Sequence, residues 1–219
     1  MNEISTINIL GEEFQPRSDK TLFWRSENCL IVSDIHLGKT ATFRVEGIPV
    51  PEGITDSDLG KLSLALIETA AKKLIITGDL FHSPKGKTTF IIDRFKRFRD
   101  ENKDIEINLI TGNHDIRSGS LHSELCIAET DSLIIREKFR FIHENDNKPG
   151  YYNFSGHIHP AIRLKGKGRQ SLRLPCFYFA KDYALLPAFG GFTGTAVIYP
   201  VNDSIIYAIA DNELVKLTS

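Results

Sequence analysis

Five times along this chain a short apolar run stops abruptly at a cluster of Asp, Asn, His and Gly. Residues 29–32 lead into Ser33-Asp34-Ile35-His36, residues 74–77 into Gly78-Asp79, and residues 107–111 into Gly112-Asn113-His114-Asp115. Further on, residues 139–142 end at His143, and residues 152–155 end at Gly156-His157-Ile158-His159. Runs this short, rich in Ile, Leu, Val and Phe, read as buried strands rather than helices. A fold built from them brings strand ends together, and ligands in open α/β sheets bind at such ends.

Two helical segments separate the first three of these strands. Thr55, with Asp58 three residues on, can cap the first helix, and Leu59, Leu62, Leu66 and Ile67 then share a face. The second spans about residues 88–101, with Ile91, Phe95 and Phe98 at helical spacing. Strand alternating with helix implies right-handed crossovers and a parallel core sheet. After about residue 131 the texture changes, and residues 133–142, 152–156, 163–179, 195–199 and 204–210 read as successive strands with short turns. The expectation is α/β, with two sheets packed face to face and helices outside. No repeat or linker divides the chain, so residues 1–219 are expected to form one domain.

Hydrophobic residues at 41% and charged residues at 25% are the balance of an ordinary globular protein. A net charge of −1 excludes an overall cationic field, so nucleic-acid binding would have to come from a local patch. Cys29, Cys126 and Cys176 are odd in number and form no C-x-x-C pair, which points to a reducing, cytoplasmic setting. The N-terminus lacks the basic start and apolar core of a signal peptide, and no apolar run is long enough to span a bilayer, so no membrane association is expected.

A lone His at a strand end is ordinarily structural. Here six of the seven histidines lie in or beside these clusters, together with two aspartates and an asparagine. Oxygen and imidazole donors without thiolates suit manganese, iron, zinc or a similar divalent ion. Asp34 and His36 are two apart on an extended chain and so share a face, as do His157 and His159. Asp79 has two carboxylate oxygens and can bridge two ions, and Asn113 can offer a neutral carbonyl oxygen. A pair of ions about 3.5–4 Å apart would hold a bridging hydroxide and neutralise phosphoryl oxygens during in-line attack. His114, beside a ligand, is free to donate a proton or stabilise developing charge.

This set resembles the five-part signature of the calcineurin-like metallophosphoesterases: D-x-H, G-D, G-N-H-[DE], a single H, and G-H-x-H, here in order from Asp34 to His159. The resemblance implies a four-layer αββα sandwich of two mixed β-sheets and two divalent ions, manganese ahead of iron or zinc. Asp34, His36, Asp79 and His159 would bind one ion, and Asp79, Asn113, His143 and His157 the other. His143 has no local motif to support it. Its competitor, His122, lies in a polar stretch rather than at a strand end.

Three features narrow the substrate. Gly78-Asp79-Leu80-Phe81-His82 resembles the equivalent motif of the double-strand-break repair nucleases, which implies that His82 assists His114 with the nucleotide phosphate. Residues 37–53 and 186–194 are similar to loops of the ligase-associated DNA damage response endonucleases. That subfamily implies a bacterial DNA-repair endonuclease or phosphodiesterase acting on DNA, as single strands or ends, in functional association with a DNA ligase and a helicase. Lys39 and Arg44 follow the first cluster and could meet flanking phosphates, or be solvated loop charges, on a segment stiffened by Pro49 and Pro51. Arg163, Lys165, Lys167, Arg169 and Arg173 read as a basic hairpin that could contact phosphates or simply be solvated. Aromatic residues do not interleave with these charges as a stacking platform for single strands requires. The alternatives are a small-molecule phosphoesterase acting on nucleotides or a pyrophosphate, and a non-catalytic scaffold, against which the complete ligand set and His114 both count.

Overall fold

The computed structural model describes residues 5–51, 53–119, 125–146, 148–166 and 170–218. His122, and Lys167 and Arg169 of the basic hairpin, lie outside these residues. The first sheet has seven strands in chain order: β1 (Ile7–Ile9), β2 (Glu12–Pro16), β3 (Leu22–Trp24), β4 (Cys29–Val32), β5 (Lys73–Ile76), β6 (Glu106–Ile110) and β7 (Ile127–Thr130). β1 to β4 pair antiparallel and β4 to β7 pair parallel, so the expected parallel core carries an antiparallel meander that the spacing of motifs did not announce.

The helices among the described residues are α1 (Lys39–Val45), α2 (Ile54–Thr69), α3 (Thr89–Glu101) and α4 (Asn113–Ser118). α3 begins as expected, with the Thr88 side chain accepting from the Ile91 amide. α2 instead starts behind Gly53 at φ 80°, and Thr55 lies buried inside it. Ile67, expected on the apolar face, is 71% exposed, because the core-facing stripe is Leu59, Leu62, Ala65 and Leu66. α1 was not expected: part of the segment read as a loop behind His36 is helical. No helix among the described residues is long and apolar enough to cross a membrane.

The second sheet is built from β8 (Ser132–Ile135), β9 (Phe139–Ile142), β10 (Tyr152–Ser155), β11 (Pro160–Lys165), β12 (Ser171–Phe179), β13 (Tyr183–Leu185), β14 (Ala196–Val197), β15 (Ile205–Ala210) and β16 (Glu213–Thr218). Its order is β14-β11-β12-β13-β10-β9-β8, with β15 also on β12 and β16 on β15. Residues 133–142, expected as one strand, form a hairpin, turned at Arg136 and Glu137 with φ 53° and 56°. β10 lies parallel to both β9 and β13, so this sheet is mixed as well.

Alternation along β4 shows how the layers form. Leu30 and Val32 pack with Leu59, Leu62, Phe95 and Phe98 of the helices. Cys29 and Ile31 face the other way, into a cluster with Phe139, Phe141, Phe154, Phe177 and Tyr207 of the second sheet. A strand buried on both faces reads as an unbroken apolar run, which is why the polar residue ending each run stands out. The far face of the second sheet carries a smaller apolar cluster, including Ile162, Cys176 and Tyr178, with Ile198 and Leu217 packed against it. Two mixed sheets with helices, the α/β arrangement of the metallophosphoesterases, is therefore the fold.

Candidate metal centre

The ends of β4 and β5 continue side by side beyond the sheet. The Asp34 amide donates to the Gly78 carbonyl (3.1 Å), the His36 amide to Asp79 (2.9 Å) and the Leu37 amide to Leu80 (2.8 Å). On the other flank, the Phe189 and Gly190 amides donate to the Ser33 and Asp34 carbonyls, at 2.8 and 3.2 Å. The first cluster is thereby held between both sheets. Asp34 and His36 do not share a face through extended alternation, as the sequence suggests. Both have left-handed backbones (φ 52° and 53°), as do Asp79 (50°), His157 (63°) and His159 (52°). Such conformations are costly for non-glycine residues and persist where surrounding contacts enforce them. Gly78 (φ 93°) is needed because a Cβ there would lie 2.8 Å from His143 Cε1 and nearer still to Nδ1.

All seven expected ligands meet. His159 Nε2 lies 3.2 Å from Asp34 Oδ1 and 3.4 Å from His36 Nε2. His143 Nε2 lies 3.2 Å from Asn113 Oδ1, 3.2 Å from His157 Nδ1 and 3.5 Å from Asp79 Oδ2. Asp79 Oδ2 is also 3.9 Å from His36 Nε2 and so stands between the two groups. Its other oxygen, Oδ1, accepts from the His114 amide at 3.0 Å.

Protein contacts fix which atoms are left over. His143 Nδ1 is 3.1 Å from the Thr77 carbonyl and His159 Nδ1 is 3.0 Å from the Gly194 carbonyl. Each carbonyl can only accept, so each Nδ1 carries the proton and each Nε2 points a lone pair inward. Asp34 Oδ2 accepts from the His157 amide (3.0 Å) and from Ser33 Oγ, whereas Oδ1 is buried without a hydrogen-bond donor among the described residues. Lone pairs converging on one another, with an orphaned buried carboxylate oxygen among them, form an arrangement that a cation satisfies. The donor set therefore fits divalent ions.

Electrostatics agree with that fit. Burial opposes ionisation of Asp34, but the proximity of His159 and the hydrogen bond from Ser33 outweigh it and hold the carboxyl below its usual range. Burial raises Asp79, with His143 and the His114 amide only partly offsetting it. Burial pushes His36 down to about 3, which keeps it neutral.

His114 and His82 stand beside these groups. Their rings stack at 4.8 Å and 21°, and His114 Nδ1 donates to the His82 carbonyl, which leaves His114 Nε2 free. His82 Nδ1 lies 3.4 Å from His36 Nδ1, and burial, with Lys39 and His114 adding, lowers His82 to about 4. Lys39 is half-buried and lines one pocket with His36 and Phe192. Arg44 is exposed and donates to the Pro51 carbonyl (2.8 Å), so the fold brings Lys39 rather than Arg44 to the histidines.

Sequence reasoning gave no role to several residues that hold the site together. Asp115 accepts from the Phe81 and Gly112 amides, at 3.0 and 3.1 Å, tying the second and third clusters together. Asp58, buried on α2, accepts from the Gly191 amide at 3.0 and 3.1 Å and anchors the late loop. Arg140 is buried, with Nη2 2.9 Å from Asp146 Oδ2, and braces the chain behind His143. Asp115 carried a signal in its place after Asn113-His114. Asp58, expected to help Thr55 cap the helix, instead accepts from the late loop, and Arg140 carried no signal.

A model of the calcineurin-like phosphoesterase family matches residues 28–193. The chain belongs to that family and is a metal-dependent phosphoester hydrolase. Among solved structures it is similar to the Pseudomonas putida nuclease MPE, with 31% identity, a TM-score of 0.85, and coverage of 98% of this chain and 100% of that one. Fainter likenesses are a protein of unknown function from Aquifex aeolicus (17% identity, TM-score 0.42, 64% and 82% covered) and the phosphoesterase Yfce from E. coli (15%, 0.40, 87% and 98%). A search of curated proteins gave no match.

Proposed function

We propose that this protein is a two-metal DNA endonuclease or phosphodiesterase of bacterial DNA repair. The observation that carries the two-metal reading is Asp79 Oδ2, shared between one group of Asp34, His36 and His159 and another of Asn113, His143 and His157. Those residues would hold the two ions, with manganese ahead of iron or zinc. When bound, a pair of divalent ions supplies Lewis acidity and an activated water for in-line attack at phosphorus.

The chain's own residues supply the rest. Ser33, Thr77 and the Gly194 carbonyl orient the ligands, a supporting shell whose loss ordinarily costs metal affinity. His114, its Nδ1 proton committed to the His82 carbonyl, would act as the imidazolium: the second proton, on Nε2, passes to the leaving oxygen and leaves a neutral ring. His82 stacks on that imidazole and limits its rotation. Lys39 can meet a phosphate oxygen beside the scissile bond. DNA as substrate is supported by the full-length likeness to the Pseudomonas nuclease. Single strands or ends as targets, and functional association with a DNA ligase and a helicase, rest on the loop resemblances at residues 37–53 and 186–194. The treatment of residues 1–219 as one catalytic domain rests on a sequence that no repeat or linker divides. Three free cysteines are in keeping with action in the cytoplasm.

The test is metal-stripped protein reconstituted separately with Mn²⁺, Fe²⁺ and Zn²⁺ and offered circular single-stranded DNA, linear single strands, duplex DNA and a chromogenic phosphodiester. Cutting of the circle identifies an endonuclease. Turnover of the small ester alone, with every DNA intact at low salt, would refute the DNA reading in favour of a small-molecule phosphoesterase.

A further inference from the structure

Beyond the phosphate site, the aromatic rings form a row. His114 stacks on His82, His82 lies 6.4 Å from Phe43, and Phe43 meets Phe192 edge to face at 5.6 Å and 78°. The two phenylalanines come from α1, where Phe43 lies between Lys39 and Arg44, and from the late loop, so the pair joins segments far apart in sequence and corrects the expectation that no aromatic accompanies these charges. Phe43 is half-buried and Phe192 is 37% exposed, and neither belongs to the apolar clusters between the layers. An exposed ring contributes little to folding.

Both rings sit on braced supports. α1 is joined to the chain after His82 by Thr42 Oγ1 on Ser83 Oγ (2.7 Å) and by the contact of Gly38 with Gly86, which leaves no room for a Cβ. The Phe192 turn is held by Gly190 on the Asp34 carbonyl, Gly191 on the Asp58 carboxylate, and Thr193 Oγ1 on the Gly190 carbonyl (2.9 Å). Lys39, at the start of the same α1, lines the pocket shared by His36 and Phe192. A cation for phosphate and a rigid pair of apolar rings thus lie next to the groups that would handle the scissile phosphate.

We infer that Phe43 and Phe192 form a stacking site for the nucleobase adjoining the scissile phosphate, and so select unpaired nucleotides. The inference rests on the nuclease reading. Base–aromatic stacking tolerates any sequence, because every base has a π-face, but it requires a base free of its own stack. A duplex base is already stacked and paired, so it would reach Phe192 only after being pulled out of the helix. The platform therefore discriminates by strand state rather than by base identity.

The experiment compares wild type with Phe192→Leu, Phe192→Trp and Phe43→Leu, loaded with Mn²⁺. The substrates are a labelled single-stranded oligonucleotide and the same strand carrying consecutive abasic sites. Leucine keeps apolar bulk without a π-face, and thermal unfolding verifies that each variant is folded. The expected result is a loss of about ten- to a hundredfold in kcat/KM for the leucine variants on the normal strand, carried mainly by KM. That loss shrinks on the abasic strand, and tryptophan at 192 restores cutting. Leucine variants with the same penalty on both strands, or with none, would overturn the stacking site while leaving the nuclease reading intact. Wild type that cuts neither strand yet hydrolyses a small phosphodiester would remove the nuclease reading and the platform with it.

Discussion

Replacing Gly112 with alanine adds one methyl group at the point where the third cluster touches the bridging carboxylate. Gly112 has φ −93° and ψ 172°, a conformation that alanine adopts readily, so backbone strain is not the issue. Space is. A Cβ there would lie 2.6 Å from the Asp79 amide nitrogen and closer still to Asp79 Oδ1, whereas ordinary contact begins near 3.4 Å. The two segments must separate by about 0.8 Å or more.

Asp79 cannot give way without loss. Its carbonyl accepts from the His36 amide (2.9 Å) and its Oδ1 from the His114 amide (3.0 Å), so displacement loosens either a ligand or the proton donor. Overpacking of a tight core costs about 1–3 kcal/mol, and a lost hydrogen bond to a charged acceptor about 1.5–3 kcal/mol. Because one shift relieves both, the expected destabilisation is about 2–4 kcal/mol. A misplacement approaching 1 Å beside the chemistry costs turnover about a hundredfold.

The assay is urea unfolding of chelator-treated protein, which isolates packing, then metal titration by calorimetry and turnover of a phosphodiester. Gly60→Ala is the control. Gly60 is exposed on α2 with open space where its Cβ would go, so alanine there should raise stability by up to about 1 kcal/mol. Gly112→Ala indistinguishable from Gly60→Ala in stability, metal affinity and turnover would refute the claim that this contact fixes Asp79.

Removing bound metal with a chelator should lower the thermal midpoint, and re-added Mn²⁺ should restore it; an ion at a hundred times its dissociation constant contributes about 2.7 kcal/mol, so an unmoved midpoint would argue against a metal centre. His114→Ala should lower kcat by about 10²–10⁴ with metal content retained, most severely on DNA and least on an ester with a good leaving group such as nitrophenolate. Equal losses on both would exclude His114 as the proton donor. Asp146→Ala should destabilise the protein by about 1–3 kcal/mol, because among the described residues it leaves the buried Arg140 guanidinium with Asn153 Oδ1 at 3.3 Å as its side-chain acceptor. Hydrogen bonds from Arg140 hold Asp146 down to about 2, so the difference between wild type and Asp146→Ala, measured by urea unfolding, should be constant above about pH 4 and narrow as pH falls toward 2.

The parts of the site legible in the sequence are those where burial forces a sharp boundary. Strands such as β4 and β6 have both faces covered, so Asp34 and Asn113 appear as sudden polar residues after apolar runs. Elements with other determinants stayed hidden. β1 and β2 are short antiparallel strands of mixed polarity, and their pairing is set by the hairpins that join them to β3. α1 lacks a side-chain cap and is held by tertiary contacts to residues 83 and 86. The Phe43–Phe192 pair and the Asp58–Gly191 anchor join distant segments and leave no local trace. His143 was placed by strand context alone, and its environment supports that placement: Nδ1 on the Thr77 carbonyl and Nε2 facing Asn113 and Asp79.

The same geometry bears on how stability is distributed. Five of the residues assigned to the ions have left-handed backbones, at a cost on the order of 1–3 kcal/mol each before compensation. Asp34 Oδ1 is orphaned, and Asp79 is buried close enough to Asp34 for each to oppose the other's charge. Hydrogen bonds inside the cluster, from Ser33 and from the His157 and His114 amides, offset only part of these costs. The compensation comes from the layers around it: an aromatic cluster between the sheets, where Phe14, Trp24 and Phe139 meet at 4.9–5.4 Å, and the helices packed on β4 to β6. Substitutions in that cluster should therefore affect metal affinity as well as folding, because a loosened core allows the strained ligand loops to relax. Trp24→Phe tests this. Trp24 is fully buried and lies more than 50 residues before any motif cluster other than the first, and its loss should lower both the unfolding midpoint and the metal affinity of the folded protein. Unchanged affinity alongside a lowered midpoint would mean that the loops hold their conformation without help from the core.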